Sequence, residues 1–156
     1  MKVCFVAVNA KYIHTNMAIR LLEANTEYNV TTVEFTIKEN IDFIINYILE
    51  EKYDFVGFSC YIWNIEMIKQ IIPTLASHNI TILLGGPEVS YNAEYYINNN
   101  LADYVIKNEG EEAFNLLLKH LDGKLEINEV PNLYHKNGFT FDKLVDLKNA
   151  KMAYDL

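Results

Sequence analysis

The sequence alternates short apolar runs with segments of helical periodicity, and this alternation restricts the possible folds more than any other feature. The apolar runs, which are typical of buried strands, are Val3–Val8, Val30–Phe35, Phe55–Cys60, Ile80–Leu84 and Tyr104–Ile106. The segments with apolar residues on one helical face are Thr15–Ala24, Ile41–Leu49, Ile65–Leu75, Ala93–Asn99 and Glu111–Leu121. Five successive strand–helix units predict a parallel sheet with right-handed crossovers.

The predicted fold class is α/β, with a flavodoxin-like (Rossmann-like), doubly wound, five-stranded parallel sheet of strand order 2-1-3-4-5. The central runs consist almost entirely of Val, Ile, Leu and Phe, as expected for strands that are buried on both faces. Five units are too few to close an eight-stranded barrel, so an open sheet is favoured.

Residues 123–156 differ in character from the units before them. Two extended segments, Asn132–His135 and Phe139–Phe141, flank Asn137-Gly138, a dipeptide typical of tight hairpin turns. The final string, VDLKNAKMAYDL, has little periodicity and indicates a linker. We therefore predict an α/β domain over residues 1–122, followed by a hairpin and linker over residues 123–156 that lead into the rest of a longer parent protein.

The charge and the cysteines exclude several classes of function. A net charge of −8 argues against a surface for nucleic acid or for an anionic membrane, and no apolar run reaches the roughly 20 residues of a membrane span. Cys4 and Cys60 lie in apolar runs, which predicts buried free thiols in a reducing cytoplasm, although a disulfide is an alternative. The chain has no CxxxCxxC motif, so it does not hold an iron–sulfur cluster by the usual thiolate spacing.

The candidate binding site is the set of loops beyond the carboxyl ends of the strands, where ligands of open α/β sheets bind. Those loops are Asn9–Asn16, Ser59–Asn64, Gly85–Glu88 and Asn108–Glu111. The acidic residues of the last loop also suit a helix N-terminus, which favours carboxylates without any ligand.

The other loops also have two interpretations each. Gly85 and Gly86 either leave backbone open to a flat ligand or only form a tight turn that needs positive φ. Ser59 either hydrogen-bonds a ligand or caps the following turn. Tyr61 and Trp63 are either core aromatics or a wall at the end of the strand.

Three phosphate-related functions lack their motifs. Neither GxxxxGK[ST] nor GxGxxG follows the first strand. A phosphoacceptor receiver domain needs an acidic cluster after the first strand and an Asp after the third, where Asn9 and Ser59 stand. A flavodoxin needs a Ser/Thr-rich loop after the first strand, which the Tyr-Ile-His string does not supply.

Two strings carry a family resemblance. ILLGGPEVS and VIKNEGEEAF resemble the GGPHxS and GEGExxF strings of the cobalamin (vitamin B12)-binding domain at the N-terminus of class B radical S-adenosylmethionine (SAM) enzymes. That group includes the anaerobic magnesium-protoporphyrin IX monomethyl ester oxidative cyclase. The general cobalamin signature is DxHxxG, then SxL, then GG. Here 41 residues separate Met17 from Ser59, and 23 residues separate Tyr61 from Gly85-Gly86.

The resemblance implies which residues contact the cofactor. Ser59 and the two glycines would lie beside the nucleotide tail, and Glu88 and Glu109 would accept hydrogen bonds from corrin amides. The full set of implied cofactor-binding residues is Asn9, Tyr12, Ile13, His14, Ser59, Tyr61, Ile62, Trp63, Gly85, Gly86, Pro87, Glu88, Glu109, Gly110 and Glu111. No residue of this chain is expected to be catalytic.

The first loop departs from the signature, because Tyr12 replaces its Asp and Met17 its Gly. In mutase-type domains that histidine ligates cobalt and the Asp orients it. His14 is therefore either an ordinary surface histidine or a candidate cobalt ligand. The resemblance favours base-off cobalamin without a histidine ligand, with Tyr12, Ile62 or Trp63 covering its lower face.

The sequence thus predicts a cobalamin-binding module of a larger radical SAM enzyme. The parent reaction would be methyl transfer or oxidative cyclisation, with a porphyrin-type substrate suggested by the named relative. The iron–sulfur cluster and S-adenosylmethionine are expected only in the missing C-terminal part. The alternative is a docking domain that keeps the flavodoxin-like fold and has lost cofactor binding, which the changes at Tyr12 and Met17 would explain.

Overall fold

The computed structural model describes residues 1–10, 28–108 and 110–143. The strands in these ranges are β1 (Val3–Asn9), β2 (Val30–Thr36), β3 (Phe55–Ser59), β4 (Thr81–Gly85), β5 (Tyr104–Ile106), β6 (Leu133–His135) and β7 (Gly138–Phe139). The helices are α1 (Ile41–Glu50), α2 (Ile65–Ser77), α3 (Pro87–Ser90), α4 (Ala93–Asn98) and α5 (Glu111–Leu121), with a 3₁₀ turn at Ile127–Glu129. The helix predicted at Thr15–Ala24 lies outside the described residues.

The described strands form one sheet of order β2-β1-β3-β4-β5-β6-β7. Strands β1 to β5 pair in parallel, which confirms the predicted order 2-1-3-4-5. The predicted hairpin is present, and it also joins the sheet, because β6 pairs antiparallel with β5 and β7 with β6. The sequence interpretation had left this hairpin outside the sheet. Its pairing removes the exposed edge that β5 would otherwise present.

Two cores lie on opposite faces of the sheet, because successive side chains of each strand point to opposite sides. On β1, Cys4, Val6 and Val8 belong to the core that α1 and α2 cover. Val3, Phe5 and Ala7 belong to the core that α5 covers. Burial on both faces explains why the central runs are continuously apolar.

The α5 face depends on one glycine that the sequence interpretation had not singled out. A Cβ on Gly57 would lie 2.6 Å from the ring of Phe5. That ring in turn packs edge-to-face on Phe114 of α5, with centroids 4.6 Å apart. Gly57 therefore provides the space that lets an aromatic pair fill the interface between sheet and helix.

Local signals account for the helices. Asn40 caps α1, since its side-chain oxygen accepts hydrogen bonds from the backbone N–H groups of Asp42 and Phe43. The buried residues of that helix are Ile44, Ile45 and Ile48, three members of the predicted apolar face.

Both cysteines are free and buried, as predicted. Burial raises the pKa of Cys4 to about 12 and also raises that of Cys60, because a thiolate is poorly solvated in the core. Both thiols are therefore protonated and unreactive near neutral pH. Within the described ranges, no helix combines the length and the apolar character that crossing a membrane requires.

The segment after β7 is fixed to the domain by Asn132. This residue is 1% exposed, and its side-chain amide donates to the backbone O of Lys143 at 2.7 Å and accepts from its N–H at 2.9 Å. We call these two hydrogen bonds the Asn132 clasp. Two ion pairs, Lys107–Asp142 and Lys143–Glu112, involve the residues at its end, and both have an N···O distance of 2.8 Å. The chain therefore leaves the described structure beside the first turn of α5.

Candidate functional site

The carboxyl ends of β1, β3, β4 and β5 lie at one edge of the sheet, because these strands are parallel. Ser59 and Gly85, the last residues of β3 and β4, are direct register partners. Alternation along the strands places both on the face that α5 covers, together with Phe55 and Leu83. Two of the predicted loops therefore begin from adjacent residues on one face.

Ser59 is 5% exposed, and its hydroxyl forms no hydrogen bond with any of the described residues. It does not cap α2, whose N-cap residue is Asn64, so the capping interpretation of Ser59 was wrong. Buried hydroxyls nearly always have a partner. An unpaired hydroxyl at the carboxyl edge is therefore a candidate contact for a ligand.

The two adjacent glycines have different roles. A Cβ on Gly85 would have no heavy atom of the described residues within 4 Å. At Gly86, φ is +98°, and a Cβ would lie 2.6 Å from the backbone O of Cys60 and 2.8 Å from its N. Among the described residues, Gly85 therefore has the open space of the first interpretation, and Gly86 is the tight-turn glycine of the second. Contact of a ligand with either glycine stays a prediction.

The close approach at Gly86 joins the loops after β3 and β4. The N–H of Cys60 donates to the O of Gly85 at 2.7 Å, and the N–H of Glu88 donates to the O of Cys60 at 3.2 Å. Pro87, at the start of α3, is exposed, and Glu88 is half-buried. The backbone bond to Cys60 places Glu88 at the same edge of the sheet as Ser59.

Asn64 is a residue whose role the sequence interpretation missed. It is 1% exposed, and its Nδ2 donates to the O of Val8 at 3.0 Å and to the O of Ser59 at 3.1 Å. Its Oδ1 accepts from the N–H of Tyr61 at 2.8 Å. Asn64 therefore ties the ends of β1 and β3 to the turn between β3 and α2. Its position just before an apolar helix is the one sequence signal, and that signal suggests only a cap.

The turn that Asn64 holds presents an aromatic pair. The rings of Tyr61 and Trp63 are stacked, with centroids 4.4 Å apart and an interplanar angle of 3°. Trp63 is 47% exposed, and Ile62 between them is 79% exposed. The core interpretation of these aromatics is therefore wrong, and the chain presents a flat apolar wall to solvent.

The remaining loops are positioned as follows. Asn9 is buried, and its Nδ2 donates to Oε1 of Glu34 at 3.1 Å, so it contacts the neighbouring strand β2. The hydroxyl of Ser90 donates to the O of Gly86 at 3.0 Å and accepts from the N–H of Asn108 at 3.2 Å. Gly110 is half-buried at the N-terminus of α5.

Several predicted site residues cannot be placed. Tyr12, Ile13, His14 and Glu109 lie outside the described residues, and of Glu111 only the backbone, in the first turn of α5, is described. Within the described ranges, no group of three or more His, Cys, Asp or Glu side chains is arranged to hold a metal ion.

Comparisons with known proteins show the family and the fold of the chain. A sequence model of a family described as B12 binding domain matches residues 3–118. A search of curated proteins found no match.

Solved structures of similar fold include the cobalamin-dependent S-adenosylmethionine radical enzyme OxsB with aqua-cobalamin and S-adenosylmethionine bound. That match has a TM-score of 0.78 and 19% identity, and it covers 95% of this chain and 23% of OxsB. The radical S-adenosylmethionine methyltransferase TsrM from Kitasatospora setae, with cobalamin and a [4Fe-4S] cluster bound, matches with a TM-score of 0.70 and 15% identity, over 97% of this chain and 31% of TsrM.

A cobalamin-binding protein from Desulfitobacterium hafniense DCB-2 matches with a TM-score of 0.55 and 12% identity, over 75% of this chain and 58% of that one. At these identities the likeness is one of fold. The chain spans about a quarter of the length of OxsB and about a third of that of TsrM.

Proposed function

Because the chain belongs to the family of B12-binding domains, we propose that it binds cobalamin at the carboxyl edge of its sheet. The observation that carries the proposal is the juxtaposition of Ser59 and Gly85. A buried hydroxyl with no partner among the described residues lies beside a strand position at which those residues leave open space in place of a side chain. This combination suits a ligand that inserts an apolar body and leaves a polar atom for Ser59.

The nucleotide tail of cobalamin has these properties. Burying a benzimidazole of roughly 150–200 Å² at about 25 cal/mol per Å² contributes about 4–5 kcal/mol. A hydrogen bond from the Ser59 hydroxyl would add to this and would satisfy a buried group that has no partner in residues 1–10, 28–108 and 110–143. The tail is therefore proposed as the anchor of the complex.

Other residues of the edge suit the corrin ring. The Tyr61–Trp63 stack and exposed Ile62 offer an apolar surface to a wide flat ring. Glu88 is a half-buried residue, and its carboxylate would be an acceptor for the amide groups at the ring periphery. We propose that cobalamin is held base-off and without a histidine ligand to cobalt, with Ile62, Trp63 or Tyr12 covering its lower face. Ligation of cobalt by His14 is the alternative to this arrangement.

We further propose that the chain is the N-terminal module of a larger radical SAM enzyme. Its share of the OxsB and TsrM chains, 23% and 31%, supports this, since both are described as radical enzymes. Bound cobalamin would supply a methyl carrier or a redox partner. The family resemblance implies methyl transfer or oxidative cyclisation as the reaction, and its named cyclase member suggests a porphyrin-type substrate. The iron–sulfur cluster and S-adenosylmethionine would belong to the remaining part of the enzyme.

A docking domain without cofactor is the second candidate, favoured by Tyr12 and Met17 in place of the signature Asp and Gly. Titration with hydroxocobalamin separates the two. Cobalamin binding predicts a shifted visible spectrum, a red complex that survives gel filtration, and quenching of Trp63, the one tryptophan of the chain. Absence of binding at high micromolar cobalamin would refute the first proposal and leave the docking domain.

A further inference from the structure

We propose that Ser90 is a positioning residue for cobalamin binding, although its side chain need not touch the ligand. The inference rests on the proposed function. It concerns the rim of the site, by which we mean the ends of β1 and β3 and the loops after β3, β4 and β5 at the carboxyl edge of the sheet, and how these segments are held together. Ser90 ends the GGPEVS string, and the family resemblance assigned it no role.

Ser90 uses both hydrogen-bonding capacities of one hydroxyl to join two loops. The hydroxyl is largely buried, with the residue 8% exposed; it donates to the O of Gly86 and accepts from the N–H of Asn108. Gly86 belongs to the turn after β4, and Asn108 to the loop after β5. The bond thus crosses between adjacent strand ends.

This contact completes a series along the carboxyl edge. Asn64 ties the end of β1 to that of β3 through its bonds to Val8 and Ser59. The approach of Gly86 to Cys60 ties the loop after β3 to that after β4. Ser90 continues the series to the loop after β5. Two of these contacts are made by short polar side chains, those of Asn64 and Ser90, and the third requires that Gly86 has no side chain. The rim is therefore organised before any ligand binds.

Loss of the hydrogen bond between Ser90 and Asn108 should lower the affinity for the ligand more than it lowers the stability of the fold. Asn108 is exposed and has a φ of +62°, a conformation that asparagine tolerates. If the Ser90 hydroxyl is lost, water can hydrogen-bond the N–H of Asn108, so the folded state loses little stability. The loop nevertheless loses the bond that fixes its position, and a ligand would then have to order it on binding.

The test compares four proteins: the wild-type chain, Ser90→Ala, Ser90→Thr and Ser77→Ala. Ser77 is the matched control, because its hydroxyl also donates to a backbone carbonyl, that of Thr74, near the C-terminus of α2 and away from the rim. Three quantities are measured: the Kd for hydroxocobalamin from the visible spectrum, the thermal midpoint, and the hydrogen-exchange rate of the Asn108 amide without ligand.

For Ser90→Ala we expect a Kd about three- to tenfold higher, the equivalent of one net hydrogen bond, with a thermal midpoint within about 3 °C of wild type. The Asn108 amide should exchange faster. Ser90→Thr keeps the hydroxyl and should restore both the affinity and the exchange rate, and Ser77→Ala should bind as wild type does.

Wild-type affinity in Ser90→Ala would overturn the inference, as would an equal loss in Ser90→Thr, since packing and not the hydroxyl would then matter. If Ser90→Ala does not fold, Ser90→Cys, which has a similar size and a weaker donor, is measured in its place against the same expectations. Failure of the wild-type chain to bind would refute the proposed function itself, and this inference with it.

Discussion

The same substitution, to valine, should weaken ligand binding at Gly85 and lower the stability of the fold at Gly86. Gly85→Val places a side chain in the open space at the end of β4, where no described atom lies within 4 Å of a Cβ. Valine suits a strand, so the free energy of unfolding should stay within about 1 kcal/mol of wild type. Gly86→Val instead requires a β-branched residue at a φ of +98° and a Cβ 2.6 Å from the backbone of Cys60.

The cost at Gly86 follows from these two conflicts. With a φ of 98° and a ψ of 170°, Gly86 adopts a backbone conformation that is essentially restricted to glycine and costs a residue with a Cβ about 1–3 kcal/mol, and the contact with Cys60 adds to this. A loss of at least about 2 kcal/mol lowers the thermal midpoint by at least about 4–8 °C in a chain of this size. Gly86→Val should therefore appear as a stability defect, measurable without ligand.

The cost at Gly85 should appear only in binding. If valine excludes the nucleotide tail, about 4–5 kcal/mol of apolar burial is lost. This corresponds to a roughly thousandfold higher Kd for hydroxocobalamin, since each 1.4 kcal/mol is a factor of ten. Titration followed by the visible spectrum, with thermal unfolding in parallel, measures both effects. Tight binding by Gly85→Val would refute the location of the tail, and unchanged stability of Gly86→Val would refute the interpretation of the turn.

Three further changes test other parts of the structure. Asn64→Ala removes the three hydrogen bonds that join β1, β3 and the turn at Tyr61, so urea unfolding should show a loss of about 1–3 kcal/mol; an unchanged midpoint would contradict the role of that amide. Trp63→Ala should leave stability within about 1 kcal/mol and raise the Kd for cobalamin about three- to tenfold, whereas Phe43→Ala, a control at a comparably exposed aromatic on α1, should not change the Kd. Burial raises the pKa of Cys4 from 9.0 to about 12, so with rising pH the unfolded state loses the thiol proton before the folded state does. The contribution of Cys4 to the free energy of unfolding is therefore complete below pH 9 and falls by about 1.4 kcal/mol per pH unit above it. Urea unfolding between about pH 8 and 10.5 should show this slope, and Cys4→Ala should reduce it.

The strands and helices of the parallel sheet could be predicted from the sequence because periodicity records burial, and their order followed from the doubly wound fold class that the alternation favours. Ile44, Ile45 and Ile48 recur at helical spacing, which can be read from the sequence and predicts that one face of the helix packs on a core. The five parallel strands follow from the same kind of pattern. The addition of β6 to β5 could not be predicted in this way, because it depends on which edge the hairpin meets, and periodicity carries no information about that.

The candidate site was predictable as a set of loops but not as a set of roles. Gly85 and Gly86 are identical in the sequence, and only the position of Cys60, in a different loop, makes one open and the other confined. In the same way, Asn64 has the appearance of a helix cap, yet its side chain bonds to the ends of two strands. Such roles depend on contacts across the fold, which no local pattern specifies.

The Asn132 clasp fixes the path of the chain after β7. Because its side chain grips the backbone of Lys143, and Lys143 pairs with Glu112 in the first turn of α5, the hairpin and the segment after it move with the sheet. Lys143 therefore lies at the N-terminal turn of α5, at the edge of the sheet that also carries Ser59 and Gly85. The described chain thus ends on the side of the fold that carries the candidate site, and not on the opposite side.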